Sequence, residues 1–454
     1  MTRMRAPRPA SGFRPQVLGT AFGLAVLIGN TIGMGILRTP GEVAAHLPSK
    51  PWFMGVWIAG AVYSLLGALS LAELAALRPQ SGGLAPLVYD ELGPYAGFVT
   101  GWTDWLTVCG TMAAVAMVLS EYLPVIVPAV SGQETLTSIA LVAAVCLLHL
   151  GGLRASSLVQ QSASMLKALG LVSLAIVALL APAPAPALGP PPATTVLPDL
   201  MPSGWALAGA VIAALQSAIY TYDGWTSPLY FGGEMRHPAR SIPRTMISGV
   251  LFVLMIYLLL NAAFLHVLPI AEMAGDRFVA ATVAERLFGT TGSTVLRLVV
   301  IISLLATLSA LALIASRIPV FLGSHSWMPG ALGRLHTRGA PSSALIASAL
   351  IAAAFIATNS FSTVLSLLAL LMVSVHATCF VALFVSRWRH PHAIRPFRVP
   401  CYPLIPAVAL GGAASFAGGI LITNGTTSLR AGLLLAVSWP VFALHRRFCQ
   451  PARL

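Results

Sequence analysis

Charged residues are scarce in this chain. Asp, Glu, Lys and Arg make up 9% of its 454 residues, whereas 57% are hydrophobic and the mean hydropathy is +0.85. A soluble globular protein carries about a quarter charged residues. Water is therefore not the solvent for most of this surface, and the composition predicts a membrane protein.

Strands of alternating apolar and polar residues are also missing. A transmembrane barrel needs that period-two pattern. Apolar runs of about 20 residues follow one another instead, which is the length that a helix needs to cross the hydrocarbon core. Because helices satisfy their own backbone hydrogen bonds in lipid, the sequence predicts an all-α integral membrane protein.

The signatures of several catalytic classes are absent as well. No Gly-rich loop ending in Lys-Ser or Lys-Thr occurs, so ATP-driven transport is not encoded in this chain. The five cysteines show no metal or disulfide spacing, and the histidines within apolar runs stand singly (His46, His149, His266 and His376). We predict no metal, no cofactor and no enzymatic activity.

Acidic residues are fewer than basic ones, 13 against 26 Lys and Arg, which gives a formal net charge of +13. The basic residues alternate between rich and poor loops: 3–14, 236–244, 334–338, 387–398 and 446–447 are rich, whereas 124–137 and 181–203 have none. This positive-inside pattern predicts that both termini are cytoplasmic. It also argues against a nucleic-acid partner.

Hydropathy predicts about twelve spans, an even number that agrees with both termini on one side. The predicted division has six parts: a cytoplasmic tail at 1–16, a first repeat of five spans at 17–180, an extracellular linker at 181–204, a second repeat at 205–386, spans eleven and twelve with their preceding loop at 387–447, and a cytoplasmic tail at 448–454. The linker is rich in Pro and Ala.

The first and sixth spans contain helix breakers. The first has Gly-Asn-Thr-Ile-Gly-Met-Gly at 29–35, and the sixth has Tyr-Asp-Gly-Trp-Thr-Ser-Pro at 222–228. Non-helical backbone at membrane depth is tolerated where it lines a cavity. Two interruptions five spans apart match the inverted-repeat transporter plan, in which these spans meet at the substrate site. The alternative is close helix packing through small residues.

Several segments resemble the amino acid–polyamine–organocation superfamily. GNTIGMGILRTP at 29–40 resembles its first-helix signature, and LAELA at 71–75 with PQSGG at 79–83 resembles its second-helix motif. YTYDGW at 220–225, GGEMRHP at 232–238 and SIPR at 241–244 resemble the sixth helix of the bacterial L-type amino acid transporter branch, and ASR at 315–317 fits as well. The resemblance implies a five-plus-five inverted-repeat (LeuT-like) fold with broken helices one and six.

The resemblance also implies a site for an α-amino acid. The backbone N–H groups of Met34 and Gly35, after Gly33, would bind the substrate carboxylate, as free amides at a half-helix N-terminus do. The substrate ammonium would meet carbonyl groups of Thr31, Tyr220 and Asp223, next to Gly224. Tyr220 would be an aromatic gate. Thr226 would contact the substrate side chain; ordinary packing is the alternative for both side chains.

Two residues of the first span depart from the family pattern. Met34 stands where relatives have a smaller residue, which predicts a narrower pocket. Arg38 stands where many relatives have an apolar residue. A buried Arg needs an ion-pair or hydrogen-bond partner. Glu42 lies at i,i+4 spacing and could pair with it; otherwise Arg38 could reach the vestibule and attract anionic solutes.

Lys167 is a charge in the middle of the fifth span, and an intramembrane lysine is a functional candidate. The resemblance places it where sodium-coupled relatives hold a sodium ion, so its ammonium would substitute for that cation near Ser303 or Ser309. The sequence leaves open whether Lys167 only holds the helices together or also gains and loses a proton during transport. The alternative is a lysine that extends to the interface.

The acidic residues allow more than one interpretation. Asp223 could bind a cationic substrate or cap the broken helix, and we favour capping. Asp104 and Glu73 are predicted near span ends, in contact with loops or arginines. Glu234, Arg236 and Arg240 could form an inner gate network, although the two arginines could equally belong to a solvated loop.

The resulting hypothesis is a secondary active transporter of small neutral L-amino acids in the cell inner membrane, working by exchange or by proton-linked uptake. The alternatives are a polyamine or cationic amino acid transporter and, in a different class, a solute-sensing membrane receptor. Relatives with a glycoprotein partner attach it through a cysteine after span three. The loop 124–137 has none, so we predict no disulfide-linked subunit.

Overall fold

The computed structural model describes residues 18–150, 153–182, 201–334, 341–423 and 425–448, excluding the side chains of residues 34, 153–163, 362, 423 and 446–448. The predicted tail at 1–16, most of the linker at 181–204 and most of the tail at 448–454 lie outside these residues. Within them the structure is all-α, as predicted.

Fifteen α-helices are present in the described ranges. They are α1 Thr20–Thr31, α2 Met34–His46, α3 Lys50–Leu77, α4 Ala85–Leu92, α5 Pro94–Tyr122, α6 Glu134–His149, α7 Leu153–Leu180, α8 Gly204–Tyr222, α9 Pro238–Val267, α10 Ile270–Met273, α11 Val279–Ser324, α12 Ser342–Thr358, α13 Phe361–Arg389, α14 Leu404–Thr423 and α15 Gly425–Phe448. Short 3₁₀ helices occupy Leu123–Val125, Pro128–Val130 and Ser227–Glu234.

In the described part of the chain, eight helices are long and apolar enough to cross a membrane, and the bent pair α1 and α2 makes a ninth span if it is counted as one. Three shorter apolar helices, in α6, α7 and α12, bring the total to the predicted twelve. The chain is therefore a multi-pass membrane protein. Helix α11 is longer than one span needs, because a short helix joins its N-terminal end across Gly289, whose φ of 68° is not helical.

Two spans are interrupted where the sequence predicts it. The first ends as α1 at Thr31 and restarts as α2 after Gly33. The sixth ends as α8 at Tyr222, and after an extended Asp223 it continues as the 3₁₀ helix from Ser227. Gly224 has a φ of +122°, which only glycine adopts at little cost, so this break is encoded in the sequence.

Packing places these two spans inside the bundle. Helix α2 lies against α8, α1 against α7 and α9, and α3 against α9 and α8. Helix α5 is a largely buried span that packs on α11, α13, α6 and α12. The two interruptions therefore lie between a group of helices around α3 and α9 and a second group around α5 and α11.

Candidate functional site

The two helix breaks meet each other. A Cβ atom added at Gly224 would lie 2.5 Å from Oγ1 and 2.9 Å from the backbone nitrogen of Thr31. Asn30 donates from Nδ2 to Ser227 Oγ at 3.0 Å, and that hydroxyl donates to the Gly224 carbonyl at 2.6 Å. One break thus supports the non-helical backbone of the other.

The N-terminus of α2 has the character of an anion site. Its first residues, Met34 and Gly35, follow an N-cap Gly33 that offers no side-chain cap, so their N–H groups lack intrahelical acceptors. Gly33 and Gly35 line a central cavity. Gly35 also has a packing role, because an added Cβ would lie 2.8 Å from Cγ2 of Thr221 in α8.

The carbonyl groups that were predicted to accept from a substrate ammonium already accept hydrogen bonds within the protein. Tyr257 of α9 donates from its hydroxyl to the Thr31 carbonyl at 2.7 Å and lies 3.1 Å from that of Thr221. The Tyr220 carbonyl accepts from the Asp223 N–H at 3.1 Å. Because a carbonyl oxygen has two lone pairs, each can still accept one bond from a substrate. Tyr257 was not anticipated from the sequence.

Tyr220 stands between two cavities. It lines the central cavity together with Asp223 and Thr226. It also lines a second cavity of about 130 Å³ between α8, α13 and α14. An aromatic side chain in this position separates the two spaces, which is the geometry that a gate requires.

The central cavity is small and polar. It has a volume of about 60 Å³. Eight of its 21 lining residues carry a hydroxyl group: Thr31, Thr107, Thr111, Thr221, Thr226, Thr307, Tyr220 and Tyr230. A pocket with a few convergent polar groups is the usual form of a small-molecule site.

The prediction for Asp104 is wrong. Asp104 does not lie near a span end against loops or arginines: it is 5% exposed in the interior of α5 and lines the central cavity. Its Oδ1 accepts from the hydroxyl of Tyr230 at 2.8 Å, and its Oδ2 has no partner among the described residues. The available signal was a carboxylate within an apolar run, because an intramembrane carboxylate is a functional candidate.

Lys167 joins α7 to the first break. Its Nζ donates to the Gly29 carbonyl at 3.1 Å, to the Ile32 carbonyl and to Thr307 Oγ1 at 2.7 Å. The side chain is 2% exposed, so it does not extend to an interface. The ammonium thus lies between the fifth, first and eighth spans.

The predicted contacts of Lys167 with α11 were wrong. Thr307 makes the contact instead of Ser303 or Ser309. Ser303 lies one turn away and accepts at its carbonyl from Thr307 Oγ1 at 3.1 Å. Ser309 lies 3.0 Å from Nε2 of His149. Helical spacing alone could not select among three hydroxyls within two turns, because the rotation of α11 is set by its tertiary packing.

Arg38 pairs with Glu42, the first of its two alternatives. Its Nε lies 4.0 Å from Glu42 Oε1 on the same helix, and its Nη1 lies 3.4 Å from Glu121 Oε2 at the end of α5, a partner that was not predicted. Its guanidinium also lies over the ring of Phe361 at 4.3 Å. Glu42 in turn accepts from Ser217 Oγ of α8 at 3.2 Å. Arg38 therefore links α2 to α5 and α13.

The end of the sixth span carries different ion pairs from those predicted. Glu234 pairs with Arg317 of α11 at 3.6 Å, and Arg317 also covers the Phe231 ring at 4.9 Å. Arg236 and Arg240 are both exposed, which agrees with the solvated-loop alternative for these two arginines. Arg317 takes the place predicted for them beside Glu234, and both members of this pair are buried.

Glu73, in contrast, contacts arginines as the sequence suggested. It is fully buried and accepts two hydrogen bonds from Arg387, at 2.7 and 2.6 Å. Arg395 lies 3.1 Å from its other side. The cluster connects α3 to the end of α13 and to the loop that follows.

Two broken spans meet around a central cavity in a bundle of apolar helices, which is the arrangement of the inverted-repeat membrane transporters. The chain belongs to the amino acid permease family, whose model matches residues 18–444. This confirms the superfamily that the sequence segments indicate, and amino acid transport follows as the general activity.

Three relatives illustrate the breadth of the match. The chain is 26% identical over 428 residues to the serine/threonine exchanger SteT of Bacillus subtilis (strain 168), covering 93% of this chain and 94% of the relative. It is 26% identical over 405 residues to the rat large neutral amino acids transporter small subunit 2, covering 86% and 73%. It is 24% identical over 405 residues to the human b(0,+)-type amino acid transporter 1, covering 87% and 81%.

Proposed function

We propose that this chain exchanges small L-amino acids with neutral, polar side chains across a membrane by alternating access. The observation that carries the proposal is the meeting of the two helix breaks at a polar cavity. The free N–H groups at the start of α2 would bind the carboxylate. The second lone pairs of the Thr31 and Tyr220 carbonyls would accept from the ammonium.

The lining supports a side chain that can form hydrogen bonds. Thr107, Thr111 and Thr226 face the cavity, and a small volume disfavours bulky groups. The name of the bacterial relative, a serine/threonine exchanger, agrees with a hydroxyl-bearing substrate. The predicted roles of Gly33, Met34, Gly35, Tyr220, Asp223, Gly224 and Thr226 enter the proposal on this basis.

The surroundings of Lys167 support exchange over proton-linked uptake. Its ammonium has three acceptors, two of which are carbonyl groups at the end of α1. An ammonium has three donors, so this set of acceptors satisfies all of them. A lysine that bonds to the end of α1 in this way would act as a structural contact, which would leave the flux to be driven by the amino acid gradients.

A second substrate class has its own support. The unpaired Oδ2 of Asp104 lies in the cavity, and Asp223 contributes another carboxylate to the lining. A cationic amino acid or a polyamine would neutralise a buried carboxylate that otherwise costs several kcal/mol. Cationic substrates are therefore the alternative proposal.

The membrane arrangement belongs to the same proposal. We place both termini on the cytoplasmic side of a cell inner membrane, on the basis of the Lys and Arg distribution. We retain the division into repeats at 17–180 and 205–386, which rests on the spacing of the breaks. We also propose that transport requires no covalently attached subunit.

The test is exchange in proteoliposomes containing the purified chain. Uptake of labelled serine, threonine, alanine, leucine, lysine and putrescine is measured with internal amino acid, without it, and with an inward proton gradient. We expect uptake of serine and threonine that needs internal substrate and does not respond to the proton gradient.

Other outcomes would contradict specific parts of the proposal. Uptake into empty vesicles driven by protons would contradict exchange. Uptake of lysine or putrescine alone would favour the cationic alternative. Binding of an amino acid without any saturable flux would contradict a carrier and indicate a sensing receptor.

A further inference from the structure

A groove at the start of α9 lies outside the transport site. It has a volume of about 520 Å³ and lies between the first turns of α9 and the loop before α14. Arg240 and Arg244 form its mouth, and Ile247, Leu251, Pro396 and Phe397 form its apolar walls. No Asp or Glu lines it within the described part of the chain. No carboxylate there lies within ion-pair distance of either arginine.

The length of the uncharged part of α9 indicates how deep the groove lies in the bilayer. The run 247–267 contains no Asp, Glu, Lys or Arg. At ~1.5 Å per residue it covers about 31 Å, the thickness of the hydrocarbon core. Arg244 and Arg240 precede this run by one and two turns. Both guanidinium groups therefore lie at the depth of the phospholipid headgroups, and the apolar part of the groove lies at the depth of the first acyl carbons.

The wall opposite α9 is held rigidly. Pro396 and Phe397 stand between Arg395 and Val399, and both of these neighbours bind Glu73: Arg395 at 3.1 Å, and the Val399 N–H at 2.7 Å. Because α3, which carries Glu73, packs along α9, the two sides of the groove are fixed relative to each other. It is a preformed site.

We propose that this groove binds the headgroup of an anionic phospholipid from the cytoplasmic leaflet. Arg240 and Arg244 would hold the phosphate diester and the headgroup charge, and the first acyl segments would lie along Leu251 and Phe397. Arginine is suited to this task, since its planar donors match phosphate oxygens. The proposed orientation supports the assignment, because the cytoplasmic leaflet is the anionic one.

Such a lipid would act on the moving parts of the carrier. The segment just before α9 is bonded to the start of the first span: the Leu18 N–H donates to the Glu234 carbonyl at 3.0 Å, and the Arg236 N–H donates to the Leu18 carbonyl at 2.8 Å. A headgroup bound at Arg240 would restrain that junction. The exchange rate should therefore depend on the anionic lipid content.

The test is native mass spectrometry of the purified full chain titrated with phosphatidylglycerol, with phosphatidylcholine of the same acyl chains as the zwitterionic arm. Each basic residue at a membrane surface contributes about a fivefold factor. We expect the double variant Arg240→Gln/Arg244→Gln to bind phosphatidylglycerol roughly 30-fold more weakly. Arg240→Lys/Arg244→Lys should retain most of the affinity, and Phe397→Ala should weaken it a few-fold.

The matched control removes the same charge elsewhere. Arg334→Gln/Arg398→Gln changes two exposed arginines of the proposed cytoplasmic side that do not line the groove. An equal loss of affinity in this control would overturn the proposal in favour of diffuse charge attraction. Equal binding of phosphatidylcholine, or displacement of the lipid by millimolar inorganic phosphate, would also overturn it.

A second readout separates this proposal from the transport proposal. In phosphatidylcholine vesicles, Arg240→Gln/Arg244→Gln should exchange at the rate of the unmodified chain, which shows that it is folded. Addition of phosphatidylglycerol should change only the rate of the unmodified chain. If no substrate is exchanged at all, the binding measurement still decides the lipid site.

Discussion

Lys167 shows how one residue can fix the end of a broken helix. Residues 29–32 release backbone carbonyls because the helix stops there, and lipid supplies no donor to replace the lost bonds. The ammonium supplies donors to the carbonyls of Gly29 and Ile32 and to Thr307. The charge thus stabilises the break from the side opposite the cavity.

Replacing Lys167 should impair exchange more than it impairs folding. In Lys167→Met, the Ile32 carbonyl loses the lysine donor, and one such unsatisfied group costs about 1–3 kcal/mol. The Gly29 carbonyl still accepts from Thr307 Oγ1 at 3.0 Å. The exchange rate should fall at least tenfold, because α1 would no longer be held against α7 and α11. Exchange in proteoliposomes and the yield of monodisperse protein measure the two effects.

Thr307→Val provides the graded comparison for Lys167. It removes one acceptor of the ammonium but leaves the two carbonyls, so the rate should fall by a few-fold only. A Thr307→Val variant that is as inactive as Lys167→Met would contradict the proposed role of the lysine–carbonyl contacts.

Gly224 gives a second prediction at the same scale. Gly224→Ala would place a methyl group 2.5 Å from Thr31 Oγ1 in a backbone conformation with a φ of +122°, so the two breaks would have to separate. Exchange should be lost. Gly209→Ala in α8 is the matched control, since nothing lies within 4 Å of its added Cβ and Ala favours a helix by up to ~1 kcal/mol. Normal exchange by Gly224→Ala would exclude close contact of the breaks.

At the scale of elements, Arg38 connects helices from both groups in the bundle. Helix α2 carries it, α5 ends with its partner Glu121, and α13 begins with Phe361 beneath its guanidinium. An ion pair and a cation–π contact thus hold these three helices together. In an alternating-access carrier, separation of these helices would require both contacts to break.

A double-mutant cycle tests this ion pair. Arg38→Gln and Glu121→Gln should each change the half-saturating concentration of external substrate about threefold, a modest effect because Glu121 is 38% exposed and such pairs contribute up to about 1 kcal/mol. The double variant should be no worse than Arg38→Gln alone, since that substitution already removes the contact with Glu121. Fully additive effects would show that the two residues act independently. Arg286→Gln, which breaks the separate pair with Glu272 at 2.7 Å, is the control.

The same elements show what the sequence could and could not predict. The two helix breaks were predictable because glycine and the Asp223-Gly224 pair favour non-helical backbone through local preferences alone. Lys167 was predictable because a charge in the middle of a span is costly. The residues that contact these groups were not predictable. Tyr257, Thr307 and Arg317 come from helices whose rotation depends on tertiary packing, and helical periodicity does not give the angle of one helix relative to another.

At the scale of the molecule, a buried cluster joins distant parts of the chain. Glu73 in α3 contacts Arg387 at the end of α13 and Arg395 in the loop before α14. Glu73 and the two arginines are more than 300 residues apart in sequence. The same cluster fixes the wall of the proposed lipid groove that contains Pro396 and Phe397. Helix α3, the end of α13 and the loop before α14 are thus connected at one carboxylate.

Glu73→Gln should therefore destabilise the whole bundle. Glu73 is fully buried and Arg395 is 2% exposed in its side chain, so the substitution leaves guanidinium charge without its counter-ion, which costs about 3–5 kcal/mol. Glu272→Gln is the matched control: it breaks a pair whose side chains are 30% and 34% exposed, and such a pair contributes about 1 kcal/mol at most. Thermal unfolding of the purified variants, followed by loss of monodisperse protein, should show a clear decrease for Glu73→Gln and almost none for Glu272→Gln. Equal behaviour of the two variants would mean that the cluster does not hold α3 and α13 together, and that the wall of the lipid groove is fixed by apolar packing alone.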